Sequence, residues 1–202
     1  MALAVEIKRS GKMEVLSKVL NTGIKIGLSW DPATTGIAAD ADLFLAVTKL
    51  QNGVYFLPTM DYLIYHANLK TPNGEITHSG DETKGSKDGD DESITGFLNK
   101  LPQDVTHIWV GVAIDQVKSP GMNLGQVKNL TLTINQIVEG QPNVEKVGFV
   151  KFDNHTSIGL IAGNFHRTQS GWEFSNMEEQ INCTSLTPIQ DVLEAIPCDC
   201  LG

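Results

Sequence analysis

Short runs of apolar, β-branched and aromatic residues recur along this chain, and turn residues cut them apart before any can grow into a long helix. The runs cover residues 24–30, 42–50, 62–66, 94–98, 108–114, 130–138, 147–152, 158–165 and 172–174. Between them stand Asn52-Gly53, Pro72-Asn73-Gly74, Ser119-Pro120-Gly121, Gly140-Gln141-Pro142 and Ser170-Gly171. Many short strands with such breaks point to an antiparallel sandwich or barrel. The absence of 3.6-period segments between the runs weighs against a βαβ enzyme fold.

Two helical signals remain. Residues 13–20 have some helical propensity and read equally well as a strand. In the tail, Thr187, Pro188 and Gln190 occupy N-cap, N1 and N3 positions, Ile189, Val192, Leu193 and Ile196 form one stripe, and Pro197 ends it. The expected architecture is one all-β antiparallel sandwich over residues 1–180, followed by a tail at 181–202 with a short helix.

A formal charge of −9 and a pI near 4.9 speak against a nucleic-acid or anionic-membrane partner, since both need a basic face. Cations are the natural small partners of such a surface. No run of about 18 apolar residues occurs, so no membrane span is expected. The N-terminus lacks a secretory pattern. The three cysteines, Cys183, Cys198 and Cys200, are odd in number and close to the C-terminus, which suits a reducing, cytoplasmic setting.

The stretch from Asp81 to Glu92 carries six acids and two lysines. Calcium takes six to eight oxygen ligands, which carboxylates supply, and glycines let a backbone wrap a small sphere. Asp81, Asp88, Asp90, Asp91 and Glu92 are therefore candidate ligands, the last three leading into a strand. The spacing is not that of an EF-hand. A second acidic group is formed by Asp31, at the end of one strand, and by Asp40 and Asp42 at the start of the next. Residues i and i+2 of a strand share a face, so Asp40 and Asp42 can address one cation. Asp115 either joins the same loop end or caps a turn. His78 beside the acidic loop reads as a turn histidine or as a support for a ligand.

Several longer motifs resemble those of the TerD-like tellurium-resistance and stress-response family. They are Ile26-Gly27-Leu28-Ser29-Trp30-Asp31, Asn68-Leu69-Lys70-Thr71-Pro72-Asn73-Gly74, His78-Ser79-Gly80-Asp81 with Gly89-Asp90-Asp91-Glu92, Leu124-Gly125-Gln126-Val127, and Arg167 through Trp172 to Phe174. Their order is consistent over some four-fifths of the chain. The resemblance implies a calcium-binding β-sandwich, typically cytosolic and bacterial, associated with resistance to tellurite and other stresses, and without an established catalytic reaction. It adds Asn68 to the candidate ligands and implies protein partners in a stress-response complex. Three departures stand out: Ala38 and Ala41 dilute the family's Asp run, His66-Ala67 replaces a polar or Asn-containing pair, and the chain diverges from Ser175 onwards.

Other chemistry finds little support. There is no His-Glu-x-x-His, P-loop, dinucleotide or nucleophile-elbow pattern, and a metal-dependent hydrolase would need a general base that the sequence does not nominate. The Cys198-Asp199-Cys200 tail offers a soft-metal motif without a second half. The expectation is a non-enzymatic calcium-binding protein. The alternative is a small-ligand module, for example for a cyclic nucleotide as described for some relatives, against which the lack of an evident basic phosphate cradle weighs.

Overall fold

The computed structural model describes residues 4–17, 21–32, 36, 38–142, 144–152, 155–181 and 191. Thirteen strands run through them: β1 (Val5–Glu6), β2 (Lys12–Ser17), β3 (Thr22–Ser29), β4 (Ala41–Gln51), β5 (Val54–Phe56), β6 (Leu63–Ile64), β7 (Ile76–His78), β8 (Glu92–Gly96), β9 (Val105–Ile114), β10 (Thr131–Val138), β11 (Val144–Lys151), β12 (Gly159–Arg167) and β13 (Gly171–Ile181). One sheet has the order β1-β11-β10-β3-β8-β7, the other β2-β13-β12-β9-β4-β5, with β6 also on β4. Among these strands only the two-residue β1–β11 pairing is parallel. The all-β antiparallel sandwich expected from the strand pattern is the fold observed.

Alternation explains which faces meet. In β3, Ile24, Ile26 and Leu28 point inward, and in β10 Leu132 and Ile134 do the same, so both sheets contribute to one inter-sheet core that includes Phe165, Trp172 and Phe174. The second sheet is apolar on its other face too. Phe44, Trp109 and Ile161 form a separate buried cluster there, packed with Tyr55, Tyr65 and Met177. Phe44 lies across Gly111, its register partner, where an added Cβ would come within 1.9 Å of the ring.

The Asn52-Gly53 break is a two-residue hairpin turn between β4 and β5, with both residues at positive φ (54° and 83°). Residues 13–17 of the ambiguous N-terminal segment lie in the edge strand β2, paired with β13. β13 runs to Ile181, seven residues past the expected run, because β12 pairs with it as far as Gly159↔Ile181. β7 had no strand signal of its own; its three residues are held by β8. Of the expected tail helix only Asp191 is described, and it is helical; all three cysteines lie outside the described residues. Among those residues, no helix is long and apolar enough to cross a membrane.

Candidate cation site

Strand register brings the acidic segments to one end of the sandwich. Leu28↔Glu92 and Ser29↔Thr131 put the end of β3 beside the starts of β8 and β10. Ala41↔Ile114 puts the start of β4 beside the end of β9, and Leu45↔Ile64 brings the end of β6 to the same place. Residues 30–32, 38–40, 65–68, 79–91 and 115–119 therefore lie in the connections over one rim.

Three buried side chains lock this rim. β6 stops opposite Leu45, so the N–H and C=O of Leu43 lack a strand partner there, and buried backbone groups need one. The Leu43 N–H donates to Glu92 Oε2 (2.8 Å), and His78 Nε2 lies 3.1 Å from the Leu43 carbonyl. The Gly80 N–H donates to His78 Nδ1 (2.9 Å), which assigns the ring hydrogen to Nε2 as the donor to Leu43. Glu92 Oε1 also accepts the Glu82 N–H (3.2 Å). Burial raises the Glu92 carboxyl above its ordinary value, with His78 and the Leu43 N–H opposing. Asp91 accepts the N–H groups of Trp30 (2.9 Å) and Lys87 (3.0 Å), one on each oxygen. Both acids thus join the two sheets or fold the acidic loop back onto β3.

Three other carboxylates converge on a single ammonium. Lys118 Nζ stands 2.8 Å from Asp40 Oδ2, 3.0 Å from Asp81 Oδ2 and 3.9 Å from Asp115 Oδ2. Asp40 is only 1% exposed, yet neither of its carboxylate oxygens has an aligned hydrogen-bond donor among the described residues; the contact with Lys118 is an ion pair without that alignment. Burial raises Asp40 to about 6, with Lys118 opposing and the Asp42 and Asp81 charges adding. Burial pulls Lys118 down, but its close contacts with the Asp40 and Asp81 carboxylates more than reverse this and leave it above its ordinary value. The turn carrying Lys118 is fixed: Asp115 Oδ1 accepts the N–H groups of Val117 and Lys118, and Ser119 Oγ donates to the Ala38 carbonyl and accepts the Asp40 N–H. Asp115 therefore caps this turn and also faces the cluster.

Asp42, 3% exposed, lies at the same rim with Oδ1 2.7 Å from His66 Nδ1. That bond lifts the His66 imidazole above its ordinary value, against the opposing effect of burial. One ligand atom each from Asp42, His66 and Asp81 lie within 4.8 Å of one another. His66 and Lys118 are the residues sequence reading did not nominate. The His66-Ala67 departure was a signal for the first; Lys118 left none.

The remaining candidates sit elsewhere. Asp90 faces the outer side of the first sheet, 2.7 Å from Lys25 Nζ and accepting from Thr133, in space that the missing Cβ of Gly27 leaves open. Asp31 accepts from Asn129 Nδ2 (2.7 Å). Asp31 and the exposed Asp88 line a groove of about 760 Å³ together with Trp30, Lys87, Lys146 and Phe149. Asn68 donates to the carbonyls of Leu63 (2.7 Å) and Asp61 (3.2 Å), fixing the turn that holds His66.

The family model for the TerD domain matches residues 3–190. The chain belongs to the TerD domain family. General stress protein 16U of Bacillus subtilis is 30% identical over 161 residues, 79% of each chain, and tellurium resistance protein TerD of Alcaligenes sp is 28% identical over 174 residues, 85% of this chain and 88% of that one. A solved homologue of telluride resistance protein (TerD), SCO6318 from Streptomyces coelicolor A3(2), superposes with a TM-score of 0.62 at 20% identity over 85% of this chain and 95% of its own, a likeness of fold.

Several motifs that carried the resemblance have structural work here. Arg167 stacks on Trp172 (4.5 Å) and donates to the carbonyls of Val105, Leu101 and Pro102. Thr71 and Asn73 of the turn motif both donate to Glu75. Asn123 and Gln126 cap one 3-10 turn reciprocally.

Proposed function

We propose that this member of the tellurium-resistance and stress-response family is a non-enzymatic protein that binds calcium at the rim cluster of Asp40, Asp42, Asp81 and Asp115. The observation that carries the reading is the buried Asp40 carboxylate, whose two oxygens lack aligned donors among the described residues while three carboxylates surround one ammonium. A lysine ammonium 2.8 Å from Asp40, 3.0 Å from Asp81 and 3.9 Å from Asp115 is a stand-in for a cation, and four carboxylates supply the hard oxygens that calcium takes. The donor set therefore fits calcium, provided that Lys118 swings aside. Calcium supplies charge neutralisation and rigidity at this rim, offering a partner protein of the stress response an ordered surface to read. Glu92, His78 and Asp91 hold the frame on which that surface rests.

The test is calorimetry with calcium on the full chain, followed by thermal melting with and without chelator. Binding to the folded state alone stabilises it by about 2.7 kcal/mol at one hundred times Kd. For a domain of this size that is a melting shift of roughly 5–10 °C. No heat and no shift at millimolar calcium defeat the reading.

A second reading rests on the groove beside Trp30. Lys87, Lys146 and Lys151 approach it with Phe149 and Thr131, a grouping suited to a small anionic ligand with an aromatic part. Lys87 is already held by the Asp91 carbonyl, and Asp31 and Asp88 oppose an anion, which ranks this reading second. Calorimetry with a cyclic nucleotide tests it.

A further inference from the structure

We propose that Asp42, His66 and Asp81 form a mixed-donor position for a first-row transition-metal dication of the zinc and cobalt kind, overlapping the oxygen-only calcium position and sharing Asp42 and Asp81 with it. The inference rests on reading this rim as a cation site and names a second class of cation for it. Three observations carry it.

The donors are already gathered. His66 Nδ1 and Asp42 Oδ1 are 2.7 Å apart, and the atoms of the three residues lie within 4.8 Å of one another. Zinc bonds of about 2.0–2.2 Å to nitrogen and oxygen place neighbouring tetrahedral ligands roughly 3.4 Å apart. Movements of about an ångström, mostly of the exposed Asp81 side chain, suffice to reach that spacing.

The imidazole is also held in place by the fold. The register Leu45↔Ile64 and Ala46↔Leu63, continued two residues, sets His66 beside the start of β4. Tyr65 and Asn68 close the turn around it with two backbone hydrogen bonds of 3.1 and 3.0 Å, and the Tyr65 ring meets the His66 ring edge-on at 5.2 Å. Asn68 Nδ2 ties the turn to the Leu63 carbonyl. A donor on so constrained a turn is pre-oriented.

The cluster holds further uncommitted ligand capacity. The Asp40 carboxylate is 1% exposed, has no aligned donor on either oxygen among the described residues, and shares Lys118 with Asp81. Calcium is hard and favours oxygen, whereas imidazole nitrogen suits zinc and its first-row neighbours. His66 is the feature that makes one face of this cluster selective. Selectivity for calcium over zinc needs an all-oxygen cage, which the position of His66 does not provide.

The test uses the full chain, stripped with chelator and with its three cysteines alkylated, titrated separately with zinc, cobalt and calcium. Parent and His66→Asn proteins are compared, since asparagine keeps a polar side chain near Asp42 and removes the nitrogen ligand. Zinc and cobalt affinity should fall at least about tenfold in H66N, the scale by which even residues supporting a ligand act, while calcium affinity stays within about twofold. Zinc should also shift the His66 ring resonances of the parent. Equal zinc binding by parent and H66N, or unmoved His66 resonances at saturating zinc, overturns the inference. Calcium binding without zinc binding overturns it and leaves the calcium reading standing. Zinc binding that depends on His66 in a protein that ignores calcium supports it and defeats the calcium reading.

Discussion

Asp40→Asn asks whether the rim is assembled against its own charge. Burial raises the Asp40 carboxyl to about 6 in the folded protein, while an unfolded Asp titrates near about 3.9. The folded state therefore holds an extra proton between about pH 4 and pH 6. A group whose folded pKa is raised contributes stability below its unfolded pKa and loses it as pH rises through the folded value. About two pKa units, at roughly 1.4 kcal/mol each, bound the loss at about 3 kcal/mol. Asparagine has nearly the same shape and never ionises. Without metal, D40N should match the parent below about pH 4 and exceed it by up to about 3 kcal/mol near pH 7.5, roughly 6–12 °C in Tm for a chain of this length. Paired thermal melts in chelator across that range read the difference. Calcium should then reverse the order, because the parent regains what its carboxylates lost and the variant has less to gain. A D40N protein no more stable than the parent at neutral pH, or a difference that does not grow from pH 4 to pH 7, refutes the reasoning. It would mean that Lys118 already compensates the buried carboxylate in full.

Three further perturbations separate the parts of the rim. Lys118→Met removes the cation that calcium must displace, so calorimetry should find calcium affinity raised several-fold to about tenfold, with the metal-free protein less stable at neutral pH; unchanged affinity would place calcium elsewhere. Asp91→Ala leaves the N–H groups of Trp30 and Lys87 without their carboxylate and should cost about 2–4 kcal/mol in urea denaturation, with faster proteolysis between residues 81 and 91; a loss under about 0.5 kcal/mol would show that the acidic loop is not held by it. Gly111→Ala drives a methyl into the Phe44 ring and should cost about 1–3 kcal/mol, partly recovered by Phe44→Leu in the double variant; a neutral G111A would contradict the packing of that second apolar face.

The local period of the side chains determined the strands. Ile24, Ile26 and Leu28, or Leu132 and Ile134, declare an inward face whatever they pack against, because successive residues of a strand alternate by geometry alone. Turn chemistry did the same for Asn52-Gly53. The acidic loop, Asp40 and Asp42 were legible too, since carboxylate density is a property of composition. The tertiary structure decided what each acid does. Asp90 and Asp91 are neighbours in sequence, yet one faces Lys25 on the outer sheet surface and the other reaches the Trp30 N–H, 61 residues away. Asp40 and Lys118 meet only because the turn after β9 is pinned to the segment before β4 through Ser119. His66 joins Asp42 only because β6 pairs with β4 in one register. A carboxylate's role depends on the partner within about 3 Å, and that partner is chosen by long-range strand register, which no local pattern encodes.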